Sequence, residues 1–226
     1  MAASALALVA LGYLCGSISH AYLAGRILRG IDLRQYGSGT LGGSNVYVHV
    51  SRSAMYLVGV LDILKAFLPT WLAAHVGMAP AVVMATGLAA VLGHNWSLFV
   101  GFKGGRGISA ALGVLLVVFP PGVICMLLAL GIGRLCRATA IAALLGFLTM
   151  PILALALAQP PHVIMADMVI ALIAIVKRLE ANRLPLPPDQ SLRQTLWRRL
   201  WLDRDVADVE AWTTRRPPLD QRLDVG

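Results

Sequence analysis

Seven apolar stretches, at 3–25, 54–75, 79–98, 108–119, 121–133, 138–158 and 162–176, take up most of the first 176 residues, and inside them only Asp62, Lys65 and Asp167 carry a charge. A helix needs about 20 such residues to cross a bilayer. Nothing else in the sequence limits the fold so sharply: the chain is expected to be all-α and integral to a membrane, in one compact helical domain. The scarcity of charge agrees, at 13% of residues against about 25% in a soluble domain.

The charge that remains lies between the stretches. One set of breaks holds Arg26, Arg29 and Arg34, then Lys103 and Arg106, then Arg134 and Arg137, then Lys177, Arg178 and Arg183. The alternate breaks, near His75–Pro80, Pro120–Pro121 and Gln159–His162, hold no Lys or Arg. Cytoplasmic loops concentrate Lys and Arg, so this alternation predicts seven crossings that start outside and end inside. It also accounts for the net charge of +8 without a nucleic-acid partner.

The 26 residues of 108–133 are long for one span and short for two. A single span would put Arg134, Arg137 and the Arg-rich tail outside, and Pro120-Pro121-Gly122 is a helix breaker. Both predict a hairpin of short or tilted helices. Short helices beside Gly-rich loops point to a membrane-embedded site rather than a plain bundle. The first stretch lacks the basic start of a signal peptide and is expected to stay as one uncleaved helix. Cys15, Cys125 and Cys136 are odd in number and lie within or beside apolar stretches, so no disulfide framework is expected. No residues have metal-ligand spacing, and no metal or cofactor is expected.

Two parts follow: a membrane domain over 1–184 and a cytoplasmic tail over 185–226. PLPP at 185–188 ends the last helix, and SLRQTLWRRLWL at 191–202 is basic. Leu192, Leu196, Leu200, Trp197 and Trp201 share one helical face and Arg193, Arg198 and Arg199 lie elsewhere, the pattern of an interfacial helix on anionic lipid. From about 203 the tail is expected to be loosely ordered.

Two Gly-rich cytoplasmic breaks carry the chemistry: YGSGTLGGSN at 36–45 and GHNWSLFVGFKGGRG at 93–107. Glycines let backbone amides turn toward an anion, and Ser or Thr hydroxyls add donors. Lys supplies charge, and Arg can clamp a phosphate with two hydrogen bonds. The plain alternative is packing: Gly-x-x-x-Gly pairs occur at 12/16, 39/43 and 101/105, and small residues let membrane helices approach closely. Gly-Ser-Gly in one loop and Lys-Gly-Gly-Arg-Gly in the other shift the balance toward a phosphate or carboxylate site.

These two loops resemble the first two motifs of the bacterial acyl-phosphate-dependent glycerol-3-phosphate acyltransferases, the PlsY family. The stretches GSISHAYLAGRILRGIDLR (16–34) and LDILKAFLP (61–69) are similar as well, and the likeness is strongest over about 10–115. The resemblance implies transfer of an acyl group from acyl phosphate to the 1-hydroxyl of glycerol 3-phosphate, giving lysophosphatidate and inorganic phosphate at the cytoplasmic face of the plasma membrane. It places Ser38, Asn45, His94 and Lys103 at functional positions, with Arg106 in place of a lysine. Ser38, His94, Lys103 and Arg106 are then the catalytic candidates. Gly37, Gly39, Ser44, Asn45, Arg52, Gly104, Gly105, Gly107 and Lys177 are the candidates for holding substrate. The partners implied are glycerol 3-phosphate, acyl phosphate and membrane lipid.

The sequence departs from the family pattern at several points. Thr40 stands where the family has Asn, Gly43 and Ser44 where it has Ala and Thr, and Val48 where it has a phosphate-gripping Arg. Arg52 is four residues on and is expected one helical turn away; His49 is a poorer substitute. The third motif survives as KRLEANRL (177–184), with Lys177 in place of a His and Glu180 in place of an Asn. His94 is expected to position substrate rather than take a proton, since no carboxylate is seen that would orient its ring. Asp62 and Lys65, three apart on one helical face, are expected to pair. Asp167 needs a partner the sequence does not name, and the match of His162 and Asp167 to another acyltransferase pattern is taken as accidental. Two further classes stay open: an anion or lipid-precursor transporter, and a catalytically inactive relative serving as a scaffold.

Overall fold

The computed structural model describes residues 2–183 and 190–217. Its helices are α1 (Ala2–Ser17), α2 (His20–Arg29), α3 (Gly43–His49), α4 (Arg52–His75), α5 (Pro80–Asn95), α6 (Ile108–Val118), α7 (Pro120–Leu135), α8 (Thr139–Ala156), α9 (Pro161–Glu180), α10 (Leu192–Leu202) and α11 (Val209–Thr213). Among the described residues there is no strand, only an isolated bridge between Ser97 and Lys103. Three segments are long and apolar enough to cross a membrane: Ala2–Arg29, Arg52–His75 and Thr139–Ala156. The apolar helices α5, α6 and α7 are shorter. At 1.5 Å per residue α6 is only about 17 Å long, roughly half of a bilayer's apolar core.

The first apolar stretch is not one helix. It breaks at Ile18–Ser19, where Ser19 caps α2 by accepting from the Tyr22 amide. The Ile18 carbonyl, released from helical pairing, accepts from the Lys65 ammonium of α4 at 2.6 Å. A buried lysine on the neighbouring helix thus finds its acceptor in the break. The other break falls where the prolines predict it: α6 ends at Val118, and Pro120 and Pro121 open α7 with Phe119 buried between them.

Small residues set the central packing. Cβ atoms at Gly12 and Gly16 of α1 would collide with the Thr86 and Ala90 carbonyls of α5, and one at Gly93 of α5 would collide with the Tyr13 carbonyl of α1. The pair at 12/16 is therefore a packing pair, as small residues in membrane helices often are. Gly93→Ala is expected to destabilise the protein by about 1–3 kcal/mol, the usual cost of overpacking, because every atom it meets belongs to backbone. Gly59→Ala on α4, with nothing within 4 Å, is the control. Thermal unfolding in detergent checks this, and equal melting temperatures would refute the tight α1–α5 contact.

Two apolar clusters support the site. One joins α6 to α9 through Leu115, Phe119, Met126, Phe147, Met150 and Ile170. The other, with Ala21, Leu33, Tyr36, Leu41, Val46 and Val50, lies under the first Gly-rich loop.

The tail departs from expectation. Helix α10 forms, capped by Ser191, with Leu192 56% and Trp197 64% exposed on its apolar face. Arg199, however, is buried against Asp205, Nε to Oδ1 at 2.6 Å. Over the described residues 204–217 the chain is folded rather than loose. Buried Arg178 of α9 gives Nη1 to the Leu200 carbonyl and Nη2 to the Ala140 carbonyl, and Arg199 gives Nη1 to the Leu179 carbonyl. The Leu200 and Leu179 carbonyls lie in the last turns of α10 and α9, where no intrahelical donor meets them, and these bonds, with the one to Ala140 at the start of α8, fasten the tail to the bundle. The PLPP segment at 185–188 lies outside the described residues.

Candidate active site

The first loop is shaped by its own polar groups. Asp32 caps the turn Leu33–Gln35 and accepts from the Arg34 amide and guanidinium, a contact that holds its carboxyl below the usual carboxylate range. Gly37 and Gly39 take left-handed φ of 52° and 65°, which a side chain would resist. Buried Asn45 gives its amide hydrogens to the carbonyls of Leu33, Tyr36 and Thr40 at 3.0–3.1 Å. Its side chain is thus committed to folding the loop. Ser38 Oγ lies 2.7 Å from Thr40 Oγ1 and accepts from the Thr40 amide at 3.3 Å. Ser44 is exposed on the first turn of α3.

The second loop is pinned to the bundle. Ser97 Oγ donates to the Ser17 carbonyl at 2.5 Å, and the Tyr13 hydroxyl to the Trp96 carbonyl at 2.9 Å. The Gly105 amide donates to the His94 carbonyl at 3.1 Å. A Cβ at Gly104 would land on the His94 and Asn95 carbonyls, and one at Gly105 on His94 Nε2. Gly107 leads into α6. Among the described residues none pairs with the half-buried Lys103 ammonium.

The two loops meet. The Leu41 amide donates to the Gly104 carbonyl at 3.1 Å. Asn182, just past α9 and only 2% exposed, ties the rest: Oδ1 accepts from the Gly104 amide at 3.2 Å, and Nδ2 donates to the carbonyls of Gly39 and Gly104 at 3.2 and 3.1 Å. Arg106 Nη1 reaches the Lys177 carbonyl at 2.7 Å. Lys177 is fully buried, 2.9 Å from Glu180 Oε2 and 4.9 Å from the centre of the Trp96 ring.

Two expected neighbours fall elsewhere. Val48 and Arg52 do not share a helix: α3 stops at His49, and α4 begins at Arg52 after the Ser51 cap. The one-turn relation therefore does not exist, and Arg52 is exposed. His49 turns to the tail, where its Nε2–H donates to the Thr213 carbonyl at 2.8 Å. Burial pushes its pKa down, so the ring is neutral at pH 7.

His94 has a carboxylate beside it after all. Asp62 of α4, 2% exposed, accepts from His20 Nδ1 at 3.0 Å and Lys65 Nζ at 2.8 Å through Oδ1, while its Oδ2 stands 3.8 Å from His94 Nδ1. The Asp62–Lys65 pair is present as expected, but it is part of a four-residue cluster behind the second loop. Sequence spacing alone does not reveal this, because Asp62 and His94 are on different helices. Asn182 escapes the sequence reading because the third motif's register puts Glu180, two residues earlier, at the Asn position. Its signal was an Asn directly after a helix, since Asn accepts the left-handed φ of 55° found here. His162 and Asp167 are near the other end of α9, and the buried Asp167 carboxylate makes no hydrogen bond among the described residues. No group of three or more His, Cys, Asp or Glu among the described residues is arranged to hold a metal ion.

Two polar backbone loops, a lysine and an arginine at a bundle end make a site able to hold anions. Comparison with known proteins agrees with that chemistry. The family described as glycerol-3-phosphate acyltransferase matches residues 6–184. A glycerol-3-phosphate acyltransferase of Synechococcus sp. (strain CC9902) is 40% identical over 69% of this chain and 78% of its own length. Glycerol-3-phosphate acyltransferase 4 of Dehalococcoides mccartyi (strain CBDB1) is 34% identical over 93% of each chain. Among solved structures, the glycerol 3-phosphate form of PlsY, an integral membrane glycerol 3-phosphate acyltransferase, superposes with a TM-score of 0.74 at 30% identity, over 97% of this chain and 98% of that one. Its lysophosphatidic acid form gives 0.71 at 35% identity, over 78% and 89%. By sequence and by fold, this chain belongs to the glycerol-3-phosphate acyltransferase (PlsY) family.

Proposed function

We propose that this chain is a membrane glycerol-3-phosphate 1-O-acyltransferase that uses acyl phosphate and releases lysophosphatidate and inorganic phosphate. The observation that carries the reading is the joining of the two glycine loops, with Lys103 and Arg106 at their meeting point. Both reactants are anions, so a site must offset their repulsion before the hydroxyl can approach the carbonyl. Lys103 and Arg106 supply that charge. The Ser38 hydroxyl and the loop amides orient phosphate and stabilise the oxyanion that forms as the hydroxyl attacks. The C–O bond to phosphate then breaks, and the hydroxyl proton passes to a phosphate oxygen. His94, against Gly105 and backed by Asp62, holds the loop in register.

The membrane plan proposed with it is seven crossings with the N-terminus outside and the loops on the cytoplasmic face of the plasma membrane. The alternation of basic and non-basic breaks supports it. The acyl chain then lies among lipids between helices. Helix α10 rests on the same face, with Leu192 and Trp197 toward lipid headgroups.

The test is an assay of the purified protein with glycerol 3-phosphate and each donor in turn: acyl phosphate, acyl-CoA and an acyl carrier protein thioester. Product is expected with acyl phosphate alone, with phosphate release dependent on glycerol 3-phosphate. Lys103→Ala is expected to lower kcat/KM by about 100-fold or more, as loss of a charge-stabilising donor does. No turnover with any donor would sink the enzymatic reading. Asp62→Asn is expected to lower kcat more than KM; an equal KM rise would assign Asp62 to binding instead.

A further inference from the structure

We propose that residues 203–215 form an autoinhibitory strap, in which the Asp203 carboxylate and the Arg215 carbonyl occupy donor groups of the two glycine loops that an incoming anion must use. The inference rests on the anion-binding reading of those loops. It concerns a segment beyond the matched residues 6–184.

The strap touches both loops. Asp203 Oδ1 stands 2.8 Å from Arg106 Nε, an ion pair not aligned as a hydrogen bond. The Gly37 amide donates to the Arg215 carbonyl at 2.7 Å. Between these points, the Thr213 carbonyl accepts from His49, and Trp212 is buried with the Arg215 guanidinium 5.3 Å from its ring centre. In both loops the tail brings an acceptor to a donor: a carboxylate to a cation, and a carbonyl to a loop amide. A phosphate would present the same kind of oxygen to the same groups.

One N–H cannot serve the strap and a phosphate equally well, so the two exclude each other. Asp203 argues against the opposite role, in which the tail completes the pocket. A carboxylate on Arg106 cancels the charge meant for substrate and repels two anionic reactants. The strap is also built to lift without unravelling the tail. Residues 207–211 and 214–216 are exposed, and α11 has only five residues. The anchor lies around α10, where Arg178 and Arg199 meet their carbonyls and Arg199 also holds the buried Asp205, so the strap lifts on either side of Asp205. Substrate that binds only the open form sees its affinity reduced by the open fraction. By the same linkage, saturating substrate drives the strap off.

The measurements use the full-length protein. Asp203→Ala is expected to lower the KM for glycerol 3-phosphate by about 5–20-fold, within the usual range of coupling between sites, with kcat unchanged. A KM that rises or stays the same would overturn the strap. A second reading does not depend on the variant's folding or on turnover. Trp212 emission, isolated by subtracting a Trp212→Phe protein, should shift to longer wavelength as glycerol 3-phosphate is titrated into wild type. No shift at a concentration that saturates turnover also overturns the strap. Turnover without the shift refutes the strap alone. The shift without turnover refutes the enzymatic reading alone, and neither signal refutes both.

Discussion

Alanine at Gly105 is expected to lower kcat/KM by about 100-fold or more while leaving the protein folded, because a misplacement of roughly 1 Å at a reacting site has that effect. The new Cβ would lie on His94 Nε2 and 3.0 Å from the Leu41 carbonyl. The carbonyl belongs to the first loop's backbone and cannot yield. The imidazole cannot retreat freely either, since Asp62, His20 and Lys65 fill the space behind it. The loops must therefore part, which breaks the Leu41–Gly104 hydrogen bond and separates Lys103 and Arg106 from Ser38. Gly42→Ala is the matched control: its φ is −140° and nothing lies within 4 Å of the added carbon. Steady-state kinetics on the two variants, with thermal unfolding alongside, makes the comparison. Wild-type kinetics for Gly105→Ala would mean that the two loops do not act as one site.

The sequence was most legible where chemistry repeats along the chain. All seven apolar runs are helical because apolar length and backbone pairing leave little choice, and Pro120–Pro121 breaks a helix wherever it sits. The two glycine loops were legible as a pair because each carries its own donors. What hid was anything fixed by contact between helices. Asp62 sits near His94 only because α4 packs on α5, and spacing within α4 showed only its bond to Lys65. Arg52 failed for a local reason: Val50 and Ser51 interrupt the helix that would have placed it beside Val48. The tail looked loose from 203 because its short polar segments have no core of their own. Its order comes from Arg178 and Arg199, whose carbonyl acceptors are on other elements.

Removing the Asn182 amide is expected to lower kcat/KM by about two orders of magnitude. The side chain makes three hydrogen bonds, to the Gly104 amide and to the carbonyls of Gly39 and Gly104. Leaving a buried polar group unmet costs about 1–3 kcal/mol. Each 1.36 kcal/mol not recovered at the transition state is about tenfold in rate. Asn182→Ala also keeps a β-carbon at φ 55° without the short polar side chain that lets asparagine adopt the left-handed region, which costs an ordinary L-residue roughly 1–2 kcal/mol. Asn182→Gly separates the two effects, since glycine accepts that φ but ties nothing. If the amide is the tie, the glycine variant melts at a higher temperature than the alanine variant yet is equally slow. Asn182→Asp should be no better, because it turns a carboxylate oxygen toward the Gly39 and Gly104 carbonyls. Near-wild-type turnover in Asn182→Gly would reduce Asn182 to a helix terminator and return the third motif to Lys177 and Glu180.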